Sequence, residues 1–204
     1  MNVNGLNAPI KRYRIAEWKR KHICDPHICC LQGTHLRTED LHRLRVKGCK
    51  QSFQANGQEK KAGVAILISD KIDFKRRAIK RDPGHFTILK GRINQEDINI
   101  VNIYDPKIGA PKYIKKILED FNIHIDSNTI IVGDSNTPLS KMDRSSKQNI
   151  NKDIVALNNA LDEMDLTDIY RDFHPKEAKY TFFFKCTWNI FKDRPHDRTQ
   201  NKPQ

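Results

Sequence analysis

A chain of 204 residues with 37% hydrophobic and 30% charged positions has the material for one domain with its own core. No run approaches the roughly eighteen apolar residues of a membrane span, and the opening Met-Asn-Val-Asn-Gly lacks the basic start and apolar stretch of a signal peptide. Lys and Arg number 37 against 25 Asp and Glu, a net charge of +12, and such an excess attracts polyanions, with nucleic acid the commonest inside a cell.

Along the chain, helical and strand periodicities alternate. Residues 10–21 read as a helix with Ile15 and Trp18 on one face amid basic residues. Residues 28–31 form a short apolar run after Asp25-Pro26, the pattern of a buried strand, and residues 62–68 form a second. Between positions 71 and 81 lie Lys71, Lys75, Arg76, Arg77, Lys80 and Arg81, which suit either a nucleic-acid contact or a solvated basic surface. Residues 86–93 and 98–104 read as strands joined by the polar turn Asn94-Gln95-Glu96-Asp97. Ile114, Ile117, Leu118, Phe121 and Ile125 fall at helical spacing, with Pro111 suited to the first turn.

Residues 129–133 form another buried strand that ends in Asp134-Ser135-Asn136-Thr137-Pro138, and a helix from about Asp153 turns Ile154, Leu157, Leu161 and Met164 inward. Residues 180–184 are a last apolar run. Strands mixed with helices argue for a layered α/β domain, and the hairpin spacing over residues 86–104 argues against a purely parallel sheet. From about Lys185 the chain loses sustained period and fills with breakers and charge, so 1–184 reads as the domain and 185–204 as a disordered tail.

Chemistry in such a domain belongs at strand ends. Asp134 and Asn136 follow a buried strand, and a bent loop would aim both into one cleft; a carboxylate can orient a water and a carboxamide can donate to a phosphate oxygen. The same residues are also favoured turn formers. Tyr104 closes a strand in the same way, and its hydroxyl can meet a phosphate or its ring can serve as packing. His22, Cys24 and His27 lack the paired spacing of a zinc site. Cys29 and Cys30 read as core filling. The five cysteines have no disulfide rhythm, which favours a reducing compartment, cytosol or nucleus.

Five blocks in order, Asn2-Val3-Asn4-Gly5-Leu6-Asn7, Cys30-Leu31-Gln32-Gly33-Thr34-His35, Asn102-Ile103-Tyr104, Gly133-Asp134-Ser135-Asn136-Thr137-Pro138 and Tyr180-Thr181-Phe182-Phe183, carry a resemblance. They resemble the endonuclease that opens the second open reading frame protein of mammalian LINE-type retrotransposons. That enzyme sits in the apurinic endonuclease-like branch of the endonuclease/exonuclease/phosphatase superfamily. The resemblance implies a four-layer α/β sandwich, two packed β-sheets flanked by helices, here incomplete at both ends. It also implies an Mg²⁺-dependent nuclease that nicks double-stranded DNA to prime reverse transcription. By motif, Asn2 would help hold the metal, Tyr104 would contact the scissile phosphate, Asp134 would orient the nucleophile and Asn136 would stabilise the oxyanion. Thr181 would lie on the DNA-reading side. The partner would be DNA, with no membrane and no small-molecule cofactor, and the protein a monomer.

Departures from the family fall on the chemistry. Gly33 stands where the family has the Glu that anchors its metal, and a hard cation without that carboxylate is held weakly. Asp105 is a conceivable substitute, and Ser135 replaces an apolar neighbour of Asp134. After residue 184 the family continues to a Ser-Arg-Ile-Asp-His block. Permitted codons for residues 188–196, read one base later, encode Gly-Thr-Phe-Ser-Arg-Ile-Asp-His, so the tail reads as frameshifted. His196 then lies out of frame, and the family's general base and its orienting Asp are missing. The expectation is a degenerate copy with little or no activity, a nucleic-acid-binding remnant or a pseudogene product.

Overall fold

The computed structural model describes residues 1–21, 27–104, 109–122, 125–134, 151–169 and 187–192, with backbone alone at 20–21, 134 and 187–192. Three strands, β1 (Ile28–Gln32), β2 (Cys49–Ala55) and β3 (Val64–Ser69), make an antiparallel sheet in the order β1-β3-β2. Every residue of β3 is buried, because both of its faces are covered. Ala65 and Leu67 pack with Leu31 and Cys29 against Ile15 of helix α1 (Pro9–Lys21). Ile66 and Ile68 point the other way, into a core shared with the second sheet. Cys29 and the half-buried Cys30 therefore serve two different cores from adjacent positions.

The second sheet has six strands. In chain order they are β4 (Phe74–Asp82), β5 (Phe86–Ile93), β6 (Glu96–Tyr104), β7 (Thr129–Asp134), β8 (Leu166–Asp168) and β9 (Thr187–Lys192), and their order in space is β4-β5-β6-β7-β9-β8. β4, β5 and β6 form an antiparallel meander, whereas β6 and β7 are parallel. A parallel pair needs a crossover, here supplied by helix α2 (Ala110–Phe121), with Pro111 in its first turn. Helix α3 (Lys152–Glu163) starts at Asn151, whose side chain accepts from Ile154 N at 2.9 Å.

Ile88, Val101 and Ile131 on the outer face of this sheet pack with Ile114, Leu118 and Phe121 of α2 and Leu157 and Leu161 of α3. On the inner face Leu89 and Ile100 meet Ile66, Ile68 and Phe53 of the first sheet. Helix, sheet, sheet and helix thus stack in four layers, as the sequence motifs led us to expect. Among the described residues, no helix is long and apolar enough to cross a membrane.

Local readings differ in instructive places. Asn94 and Gln95, with φ of +49° and +71°, make a two-residue hairpin turn. Glu96 and Asp97, expected in that turn, begin β6 instead, and Asp97 accepts hydrogen bonds from Arg77 and Arg92, both at 2.9 Å. Trp18 does not share the buried face of Ile15: it is 38% exposed. Within the stretch expected to be a disordered tail, Thr187–Lys192 is strand β9, antiparallel to both β7 and β8. Its Thr-Trp-Asn-Ile-Phe composition favours strand, and the free side of β7 supplies the partner. Residues 180–184, His22, Cys24, Asp105, Ser135, Asn136, Thr181 and His196 lie outside the described residues.

Candidate active site at the strand ends

β1, β6 and β7 end together, and this shared end assembles the site. Residues 1–3 run parallel to the end of β1: Gln32 N donates to Met1 O at 3.0 Å and Val3 N to Gln32 O at 2.9 Å. This pairing sets Asn2 beside Gln32. The chain then crosses residues 33 and 34, with Gly5 N donating to Gly33 O and Leu6 N to Thr34 O, both at 2.7 Å. Tyr104 closes β6, and its Cα partner across the parallel pair is Asp134, the last residue of β7. The Tyr104 amide donates to His85 O at 2.7 Å, which ties the strand end to the β4–β5 turn. Three residues picked from sequence motifs, Asn2, Tyr104 and Asp134, therefore come to one place.

Gly33 is the middle of that place. A Cβ built there would stand 3.0 Å from Asn2 Oδ1 and 3.4 Å from the Tyr104 ring. Its φ is +64°, a conformation that glycine adopts freely and other residues resist. Asn2 Oδ1 accepts from Asn4 N at 2.9 Å, so this oxygen already closes a local turn. Tyr104 is 7% exposed and packs with Ala55 and Val64. Packing and site geometry thus coexist in one ring.

Beneath these residues lies a polar clasp between the sheets that sequence reading passed over. Gln32 Nε2 donates to Asn102 Oδ1 at 2.7 Å, and Asn102 Nδ2 donates to Leu31 O and Ala65 O, both at 3.1 Å. Both side chains are fully buried. The clasp fixes the strand of Gly33 against the strand of Tyr104. Its signal was a carboxamide at or near the end of each of two apolar strands. Next to it, burial pushes the Cys30 thiol up from 9.0 to about 12, because a thiolate there would be stripped of water.

Residues 1–203 match the endonuclease/exonuclease/phosphatase family. The chain belongs to that family. Solved structures share its fold at low identity. An AP endonuclease from Leishmania major is 14% identical with a TM-score of 0.69, covering 94% of this chain and 77% of its own. The endonuclease domain of TRAS1, a telomere-specific non-LTR retrotransposon, is 14% identical with a TM-score of 0.64, covering 95% and 83%. A 3'-5' exonuclease from Neisseria meningitidis is 18% identical with a TM-score of 0.65, covering 94% and 84%.

Enzymes of this superfamily generally work with a divalent metal, and the described donors here do not suit one. A hard dication takes several oxygen ligands, carboxylates foremost. Around Gly33 the described side chains offer the Asn2 amide oxygen and the Tyr104 phenol. Among the described residues no group of three or more His, Cys, Asp or Glu is close enough to hold an ion. Two further features belong to the same end. Thr34 Oγ1 lies 2.2 Å from where a Gly63 Cβ would be, so any side chain at position 63 would displace the Thr34 hydroxyl. His85 meets Tyr113 at a tilt of 59° with ring centroids 5.7 Å apart, and its Nδ1 is buried without a hydrogen-bond partner.

Proposed function

We propose that this chain is a LINE-type retrotransposon endonuclease by descent that engages double-stranded DNA at the Tyr104 end of its sandwich and hydrolyses it slowly or not at all. The observation that carries the reading is Gly33, a residue without a side chain placed between Asn2 and Tyr104. The ancestral enzyme would have nicked DNA to prime reverse transcription. In this chain Tyr104 would still meet a phosphate, Asp134 would orient a water, Asn136 would donate to the developing oxyanion and Thr181 would face the duplex. The part missing by motif is the metal carboxylate, whose position Gly33 occupies.

The net charge of +12 favours retained binding over complete loss of function. Support for a nucleic-acid partner also comes from a Neisseria 3' phosphatase solved with a product DNA hairpin, which shares this fold. The test is fluorescence anisotropy with a short labelled duplex across a salt series, the same samples being run on denaturing gels. We expect log Kd to rise linearly with log salt, a several-fold weaker Kd for Tyr104→Phe, and no strand cleavage in Mg²⁺. Binding indifferent to salt and to Tyr104→Phe would contradict the reading.

A further inference from the structure

Helix α1 has an inverted surface. It buries Lys19 beside Ile15, half-buries Arg12, and exposes Ile10, Tyr13 and Trp18, three of the five exposed large hydrophobic side chains among the described residues. Both cations have structural partners: Arg12 Nη1 donates to Leu6 O and Asn7 O at 2.7 and 2.8 Å, and Lys19 Nζ to Gly48 O at 3.3 Å. Lys19 is only 4% exposed, and its charge is therefore largely removed from water.

On this flank of α1 lies a cavity of about 520 Å³, within the range that holds small organic ligands. Its walls carry Arg12, Lys19, Arg45, Lys47 and Lys71, with Tyr13 at one side. Five of the ten lining residues are basic, against 37 of 204 in the whole chain, so the enrichment exceeds what the overall charge supplies. Glu17 and Asp70 are the two acids, and Glu17 accepts from the Tyr13 hydroxyl at 3.3 Å. A second cavity of about 480 Å³, beside the Asn94-Gln95 turn, has Glu96 and Asp97 in its wall and no base. The second cavity thus lacks the cation enrichment of the α1 cavity.

The cavity is remote from the Tyr104 end. Gly48 and Asp70 sit beyond the Cys49–Ser69 pair, whereas Gly33 sits beyond the Gln32–Val64 pair at the other end of β3. Five residue steps along that strand put about 17 Å between the two ends.

We infer that the α1 cavity is a nucleotide-binding site, taking a phosphate among Lys19, Arg45, Lys47 and Lys71 and a base against the exposed Tyr13 ring. Cations around a phosphate and an aromatic face for a base are the two requirements of single-nucleotide recognition. A partly desolvated Lys19 gains more from an anionic neighbour than a surface lysine does. The nucleotide can be free or one unit of a single strand, and the chemistry is the same.

The probes are AMP and a deoxyadenylate octamer, each titrated near physiological salt into the parent chain, Arg45→Glu/Lys47→Glu, Tyr13→Ala and a charge-matched control, Lys75→Glu/Arg76→Glu on β4. All substituted positions are exposed, and thermal melts verify that each variant folds. We expect the two cavity variants to bind about tenfold more weakly or worse, and the control to stay within about threefold of the parent. AMP binding with this pattern marks a free-nucleotide site, and octamer binding alone marks a single-strand site. Failure of the parent to bind either probe overturns the proposal, as do equal losses in both charge reversals or no loss in any variant. Duplex binding at the Tyr104 end is read separately through Tyr104→Phe, so the two ideas fail independently.

Discussion

At Gly33 two effects oppose each other. A glutamate there would place a carboxylate beside Tyr104, but φ of +64° and an Asn2 oxygen 3.0 Å from the new Cβ resist any side chain. A left-handed conformation costs an L-residue about 1–2 kcal/mol. We therefore expect Gly33→Ala to lower unfolding free energy by about that amount in urea titrations, and Gly33→Glu to do the same while gaining Mg²⁺-dependent nicking. An unchanged midpoint for Gly33→Ala would show that the backbone relaxes freely. Asn102 invites the opposite experiment. Its amide is buried and bonded to Gln32, Leu31 and Ala65, so Asn102→Ala strands three polar partners and should cost about 2–4 kcal/mol. A loss under about 0.5 kcal/mol, the level of an ordinary surface change, would deny the clasp its role. Cys30, its thiol held protonated up to about 12 by burial, should resist iodoacetamide at pH 8 until the chain unfolds. Mass spectrometry of the labelled native protein checks this.

At the scale of elements, apolar periodicity made some pieces legible and charge hid others. β3, β5, α2 and α3 stand out because each pairs a strong apolar pattern with clear breakers at its ends. β4 was hidden: five of its nine residues are Lys or Arg, so the stretch looked like a charged surface rather than a strand. It is the edge of the six-stranded sheet, where exposed charge discourages pairing with another chain and only Phe74 and Ile79 turn to the core. β2 was missed for a related reason, since its outward residues are polar and Phe53 is its one large apolar side chain. The β5–β6 hairpin carries a correctable strain. Gln95 holds φ of +71° without the freedom of glycine, so Gln95→Gly should stabilise by about 0.5–1 kcal/mol and raise Tm by about 1–4 °C. A lowered Tm would mean that the Gln95 side chain contributes more than its backbone costs.

For the whole molecule, the four layers follow from strands buried on both faces, and the site follows from their polarity. Asn2, Tyr104 and the Asp134 backbone fall at one end of the sandwich because each ends a strand or pairs with one. The Gln32–Asn102 clasp was not readable, since its two amides lie 70 positions apart and meet only when the sheets pack. Nor was the α1 cavity, because Arg12, Lys19, Arg45, Lys47 and Lys71 are scattered in sequence and converge only through the turns at the far end of β3. The molecule thus combines a family scaffold and a net charge of +12 with a glycine, Gly33, between Asn2 and Tyr104. Nicking of supercoiled plasmid in Mg²⁺, with Asp134→Ala beside the parent chain, measures what remains of the chemistry. We expect the two proteins to relax the plasmid at the same background rate. Faster relaxation by the parent would mean that a working hydrolytic site survives despite Gly33.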